Sequence, residues 1–168
     1  EVEYRRLTGK TGPGAGRPSK LYRRAGREFA VSLPPRQYDL VGDILATAVT
    51  RAGEGNELDR ALHDSARSKG VTFGAENRRD DASLADLADL ADVLTEQGYE
   101  PHVGDEVVLS NCPFDDLAQQ HTALVCGLNQ TYIQGVADGL GCQKAQACLE
   151  PGEDRCCVTI RGGDQACT

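Results

Sequence analysis

The sequence has no methionine among its 168 residues, no cysteine before position 112, and only 5% aromatic residues. With no initiator methionine, and with Glu1 entering what reads as the middle of a strand, it is expected to be a piece of a longer protein. It lacks any apolar run near the roughly 18–20 residues of a membrane span, and no charged-then-apolar leader opens it. These absences lead to the expectation of a soluble, cytoplasmic protein. No two of the seven cysteines stand in CxxC spacing, which removes the zinc ribbon and the thioredoxin-type redox site. The length allows one domain, or one domain with part of a second.

What is present is unevenly divided. The formal net charge is −8, from 26 acidic and 18 basic residues. Residues 1–27 nevertheless hold eight basic residues against Glu1 and Glu3, a net +6, which leaves −14 on residues 28–168. A basic arm on an acidic body suits a polyanionic partner, because the body repels phosphate and confines contact to the arm. Within the arm, Val2–Leu7 has the β-formers of a strand, Thr8–Pro18 is a Gly/Pro-rich connection, and Ser19–Arg23 can return as a second strand. A lone hairpin is marginally stable in water, so the pair is expected to belong to a domain whose remainder lies upstream.

The rest of the chain reads as helices followed by short strands. Pro34-Pro35 opens a helix in which Val41, Ile44, Leu45, Ala48 and Ala52 recur at helical spacing up to Gly53. Leu40 and Val49 widen its apolar surface, which suits a helix buried on two sides, as at a dimer interface, although a plain core helix is the preferred reading. Residues 56–69 form a weaker amphipathic helix, and the polar, glycine-containing stretch 70–80 is expected to be an exposed loop. Ala82–Gln97 is a third helix, with Leu84, Leu87, Leu90 and Leu94 on one face, aspartates on the solvated face and Gly98 as its cap. Strands are expected at Tyr99–Val103 and Glu106–Ser110, helix from Phe114 to about Gly139 with a break near His121-Thr122, and strands again at Cys142–Leu149 and Arg155–Ile160. The expected class is α+β, helices with a small antiparallel sheet.

Six cysteines fall between Cys112 and Cys157, with Cys167 trailing. An odd number suits a disulfide framework poorly, and the clustering points to a local site. If Leu149 pairs with Arg155 across a five-residue turn, Cys148 lies opposite Cys156, with Cβ atoms about 4.5–5.5 Å apart. On that register the two can share a metal with Cys112 and Cys126. A slip of one residue would bring in Cys157 or take Cys148 out. All-thiolate ligation suits zinc or an iron–sulfur cluster, and His121, five residues before Cys126, is an alternative ligand. Single free cysteines are also common as small buried hydrophobes. His63 and His102 read as surface residues. No nucleophile motif surrounds these groups, so the chain is not expected to be an enzyme.

Gly16-Arg17-Pro18-Ser19-Lys20-Leu21-Tyr22 resembles the return strand of the wing in bacterial ArsR-like winged-helix repressors. Three further motifs are specific as a set: Asn111-Cys112-Pro113-Phe114; His121 followed by Val125-Cys126-Gly127-Leu128-Asn129; and Leu149-Glu150-Pro151 followed by Arg155-Cys156-Cys157-Val158. Together they resemble the C-terminal domain of the winged-helix regulators that include the SufR-type repressors of iron–sulfur assembly operons. The resemblance implies a transcriptional repressor. Residues 1–27 would be the wing of a truncated winged-helix domain, and 28–168 a C-terminal sensor and dimerisation domain. It implies a homodimer on double-stranded DNA, with Arg5, Arg6, Lys10, Arg17 and Lys20 on backbone phosphate. It also implies a 4Fe–4S cluster on cysteines, with zinc as the alternative metal. By position Cys112 and Cys126 match the first two family cysteines, and Cys156 or Cys157 the last. For the third, Cys142 is nearer the family spacing, whereas the hairpin register favours Cys148. The expected set is therefore Cys112, Cys126, Cys148 and Cys156. Two other classes stand beside it: a regulator with an organic-effector or thiol-redox sensor, and a cysteine-dependent enzyme.

Overall fold

In the computed structural model of the chain, β1 (Val2–Arg5) and β2 (Ser19–Tyr22) pair antiparallel, Val2 opposite Tyr22 and Arg5 opposite Ser19. The structure describes residues 2–7, 9, 12–14, 16–23, 31–53, 57–78, 85–163 and 167. It divides into two units, Glu1–Val31 and Ser32–Thr168, a boundary slightly beyond the expected residue 27. Gly9, Gly12, Gly14 and Gly16 all take positive φ, a conformation glycine adopts without steric cost, which explains the glycine-rich connection. About 49% of the chain is helix and 17% strand, the expected α+β class.

The second unit begins with α1 (Tyr38–Gly53), which buries Val41, Ile44 and Ala48 and leaves Val49 63% exposed. The helix starts at Tyr38 and not at Pro35 because the residues between are committed elsewhere. Gln37 N–H donates to the Pro113 carbonyl at 3.1 Å, and the Arg36 guanidinium donates to Asn111 and to the Cys112 carbonyl.

The loop expected over residues 70–80 is instead helix as far as Glu76, within α2 (Leu58–Glu76). Packing against α5 (Thr122–Leu140) is the reason. Gly70 and Gly74 stand one turn apart on the buried face of α2, and Gly135 and Gly139 one turn apart on α5. A Cβ on Gly70 would lie 2.2 Å from the Tyr132 carbonyl oxygen, and one on Gly74 2.2 Å from that of Val136. A Cβ on Gly139 would lie 2.2 Å from the carbonyl oxygen of Val71. The two backbones touch directly. Glycine's intrinsic helix penalty, about 1 kcal/mol each, is offset by the dispersion contacts that close approach creates. Asn77 ends α2, its side chain donating to the Phe73 carbonyl at 2.9 Å.

The third helix, α3 (Leu87–Glu96), starts later than expected because Asp86 caps it. Asp86 Oδ1 accepts from the N–H groups of Ala88 and Asp89, and Asp89 Oδ2 accepts from Asp86 N–H, a reciprocal box. Residues 82–84 of the expected helix lie outside the described residues. A short α4 (Asp115–Gln120) precedes α5, with the break at His121.

Four strands form one antiparallel sheet in the order β3-β4-β6-β5: β3 (Pro101–Val103), β4 (Glu106–Leu109), β5 (Ala145–Leu149) and β6 (Val158–Gly162). Val107, Leu109, Ala145, Ala147, Val158 and Ile160 are buried on its inner face. The expected Leu149–Arg155 pairing does not form; Leu149 pairs with Val158, and Cys148 with Thr159. Register follows the apolar alternation, which places Val158 and Ile160 inward beside Ala147. The chain meanwhile needs residues 150–157 to turn, with Asp154 at φ +53°. The outer backbone edge of β5 is occupied by α5. Gln134 donates to the Ala145 carbonyl and accepts from Ala147 N–H, and Gln130 donates to the Ala147 carbonyl. Among the described residues no helix is long and apolar enough to cross a membrane.

Glycine substitutions test the helix contact. Gly70→Ala or Gly74→Ala should destabilise the chain by about 1–3 kcal/mol or more, as over-packing does. Gly42→Ala on α1, where an added Cβ meets nothing within 4 Å, should stabilise by about 0.5–1 kcal/mol. Thermal unfolding of the three variants checks both signs.

Candidate functional site

Asn111 and Cys112 follow β4 into a loop that is clamped from two sides. The Asn111 amide donates to the Gly98 carbonyl at 2.5 Å, and its Oδ1 accepts from Arg36 Nη1 at 3.2 Å. Arg36 Nη1 also reaches the Cys112 carbonyl at 2.7 Å, and its Nη2 lies 3.6 Å from Asp115 Oδ2. The Cys112 side chain is half-buried and interacts with that of Cys156. Cys156 is 1% exposed, and its backbone N–H donates to the Leu109 carbonyl at 2.8 Å, extending the line of β4.

The buried side of Cys156 is built by α5 and Tyr99. Asn129 Nδ2 donates to Cys156 Sγ at 3.2 Å, and Tyr99 O–H donates to Asn129 Oδ1 at 2.5 Å. Tyr99 is itself held edge-on against Phe114, centroids 6.4 Å apart. One helical turn before Asn129, Cys126 is joined to Cys157 in a disulfide, Cα atoms 6.3 Å apart. Four cysteines thus gather at the N-terminal half of α5 as two pairs, Cys112 with Cys156 and Cys126 with Cys157.

The two thiols of the first pair are pushed apart. Interaction with the Cys156 side chain holds the Cys112 thiol below its usual range; the Phe114 N–H and the Arg36 charge lower it further, against burial and Asp115. Cys156 is pushed far up, first by that same interaction and then by burial. Cys112 is therefore the more readily ionised of the two and Cys156 the one that keeps its proton. Tyr99 is likewise raised by burial, so it stays a donor.

The expected quartet is not brought together. Cys148 projects from the outer face of the sheet, opposite Thr159, and is bonded to Cys167, Cα atoms 5.4 Å apart. An odd cysteine count has thus not prevented two disulfides, and it leaves Cys112, Cys142 and Cys156 as thiols. Cys142 follows the C-terminal end of α5, about 20 Å along the helix from Cys126 at 1.5 Å per residue. It is buried, and burial raises its thiol. His121 is exposed at the start of α5. Of the four alternatives for the open position, Cys157 is bonded to Cys126. Among the described residues no three Cys, His, Asp or Glu side chains form a metal-holding group. An iron–sulfur cluster on Cys112, Cys126, Cys148 and Cys156 does not fit this arrangement.

The basic residues lie on the first unit. Arg5, Arg6, Arg17 and Lys20 are exposed; the strand register points Arg5 and Lys20 to opposite faces of the hairpin. Lys20 Nζ lies 5.1 Å from the ring centroid of Tyr22. Lys10 lies outside the described residues. His102 is exposed as expected, whereas His63 is partly buried, its Nδ1 2.8 Å from Thr131 Oγ1. Sequence reasoning missed Arg36, Tyr99 and Asn129. Asn129 carried a signal: an amide one turn beyond Cys126 on a helix otherwise apolar on that side. Compared with protein-family models, curated proteins and solved structures, the chain has no match.

The thiol pair makes a titration prediction. Alkylation of Cys112 by iodoacetamide should rise through a midpoint below the ordinary thiol range, because only the thiolate reacts. Cys156→Ala removes the donor that stabilises the charged form, so the midpoint should move to higher pH. Rates read by mass spectrometry across pH 5–10 (about the span of perturbed thiols) check the direction.

Proposed function

We propose that the chain is the wing and the sensor–dimerisation body of a bacterial winged-helix transcriptional repressor, with the thiols at the head of α5 as its sensor. The observation that carries this reading is the way the Cys112 loop is held. Arg36 and Gln37, which bind the Cys112 and Pro113 carbonyls, follow within six residues of the boundary at Val31. A change at the Cys112 sulfur therefore acts on the stretch of chain that leads back to the basic hairpin. That hairpin, exposed and positive on an otherwise acidic chain, supplies phosphate contacts. The pairing of the sulfurs supports thiol oxidation state as the signal in preference to a cluster. Coupling is thermodynamic: oxidation changes DNA affinity only as far as it favours one of the two body conformations over the other.

Binding of the full-length protein to duplex DNA tests the reading. Arg17→Ala should weaken binding about equally on operator and unrelated duplexes and reduce the salt slope by about one. Loss confined to one operator would contradict a phosphate role. Anaerobically purified protein should be colourless and free of iron; iron with acid-labile sulfide would restore the cluster reading.

A further inference from the structure

We infer that Cys112 is a hydroperoxide-reactive thiol and that Cys156 resolves its oxidised form into a second disulfide at the head of α5. The inference rests on the thiol-sensor part of the proposed function and names its chemistry. Three features carry it. Cys112 and Cys156 are in side-chain contact, yet they differ in access. Cys112 opens onto a polar cleft bordered by Ser110, Gln119 and Arg155, whereas Cys156 is buried. A small oxidant can reach the first sulfur and not the second. Cys156 is also held in place, by Asn129 on its Sγ and by its own N–H on Leu109. Finally, no other thiol competes for the oxidised sulfur: Cys126 and Cys157 are bonded to each other, and Cys142 lies beyond the far end of α5.

The chemistry balances in two steps. The Cys112 thiolate attacks one oxygen of the hydroperoxide, an S–O bond forms and the O–O bond breaks. The departing alkoxide or hydroxide takes a proton from solvent, the equivalent of the one Cys112 released on ionising. Cys156 sulfur then attacks the Cys112 sulfenic sulfur; the S–S bond forms, the S–O bond breaks, and water leaves with the Cys156 proton. Two thiols lose two electrons and one hydroperoxide gains them. Arg155 borders the same cleft and brings a positive charge to it. The lowered thiol of Cys112 favours the first step, and the side-chain interaction between the two cysteines favours the second.

The test uses the whole chain, isolated without reductant, with hydrogen peroxide as the probe. Thiols counted in denaturant should fall from the three of Cys112, Cys142 and Cys156 to Cys142 alone. In Cys156→Ser, peroxide with dimedone should leave a sulfenic-acid adduct on Cys112, located by fragmentation, which the wild type does not accumulate. Cys112→Ser, altered at the more exposed member of the pair, should lose no thiol. An unchanged count in the wild type, or an adduct on Cys156 or Cys142 first, would overturn the inference. DNA binding of the full-length protein, oxidised in the same way, reports on the regulator separately. Thiol loss with unaltered DNA affinity would keep the peroxide chemistry and sink the sensor role.

Discussion

Direct backbone contact between α2 and α5 is the constraint on which the second unit depends. Four glycines remove the side chains that would hold the helices apart, so carbonyl oxygens of one helix lie where a Cβ of the other would stand. The approach is reinforced at its margin by the Arg67–Asp138 ion pair. Because α5 cannot rotate or slide in that contact without collision, everything projecting from its other faces is fixed as well. Cys126 and Asn129 meet the 150–157 turn, and Gln130 and Gln134 meet β5. The position of the thiol pair is therefore a consequence of glycine positions more than one helical turn away.

The polar interior around Cys156 is expensive to build and is fully paired. Tyr99, Asn129 and Cys156 form a line of hydrogen bonds in the core, which interaction with Cys112 continues to the cleft. Among the described residues no buried side-chain nitrogen or oxygen lacks a partner. Such a line transmits constraint in both directions. The amide of Asn129 can satisfy both neighbours in one orientation only, so Tyr99 and Cys156 are oriented together. At the outer end Arg36 ties the same line to the start of α1. Cys112 is thus the single member with both a partner inside and access to solvent.

How much of this could be read from residues alone varied with the kind of signal. The hairpin at Val2–Arg5 and Ser19–Tyr22 was legible because β-formers flank a glycine-rich turn, a purely local pattern. The break at His121 and the two strands around Gly104-Asp105 were legible for the same reason. The extension of α2 was not. Gly70 and Gly74 are helix breakers by propensity, and only the matching pair on α5, more than 60 residues away in the chain, turns them into a packing surface. The cysteine pairing failed similarly. The expected register set Leu149 opposite Arg155 across a five-residue turn, but the longer turn lets Val158 and Ile160 face the core and sends Cys156 beyond the strand. Residues that act through a partner distant in sequence, such as Arg36 and Tyr99, left almost no local trace.

The hold of Gln130 and Gln134 on β5 bears on how the chain can meet other chains. An edge strand ordinarily offers a row of unpaired amides and carbonyls to any extended peptide. Here the glutamine side chains already act as the missing neighbour along Ala145–Ala147, so that border of the sheet is closed to strand addition. The opposite border is β3, three residues long and opened by Pro101, which has no N–H to give. A body with one border sealed and the other so short has little means of templating fibrils or swapping strands. On this unit, helix surfaces are what is left for recruiting a second copy, and association there can be tight and still come apart.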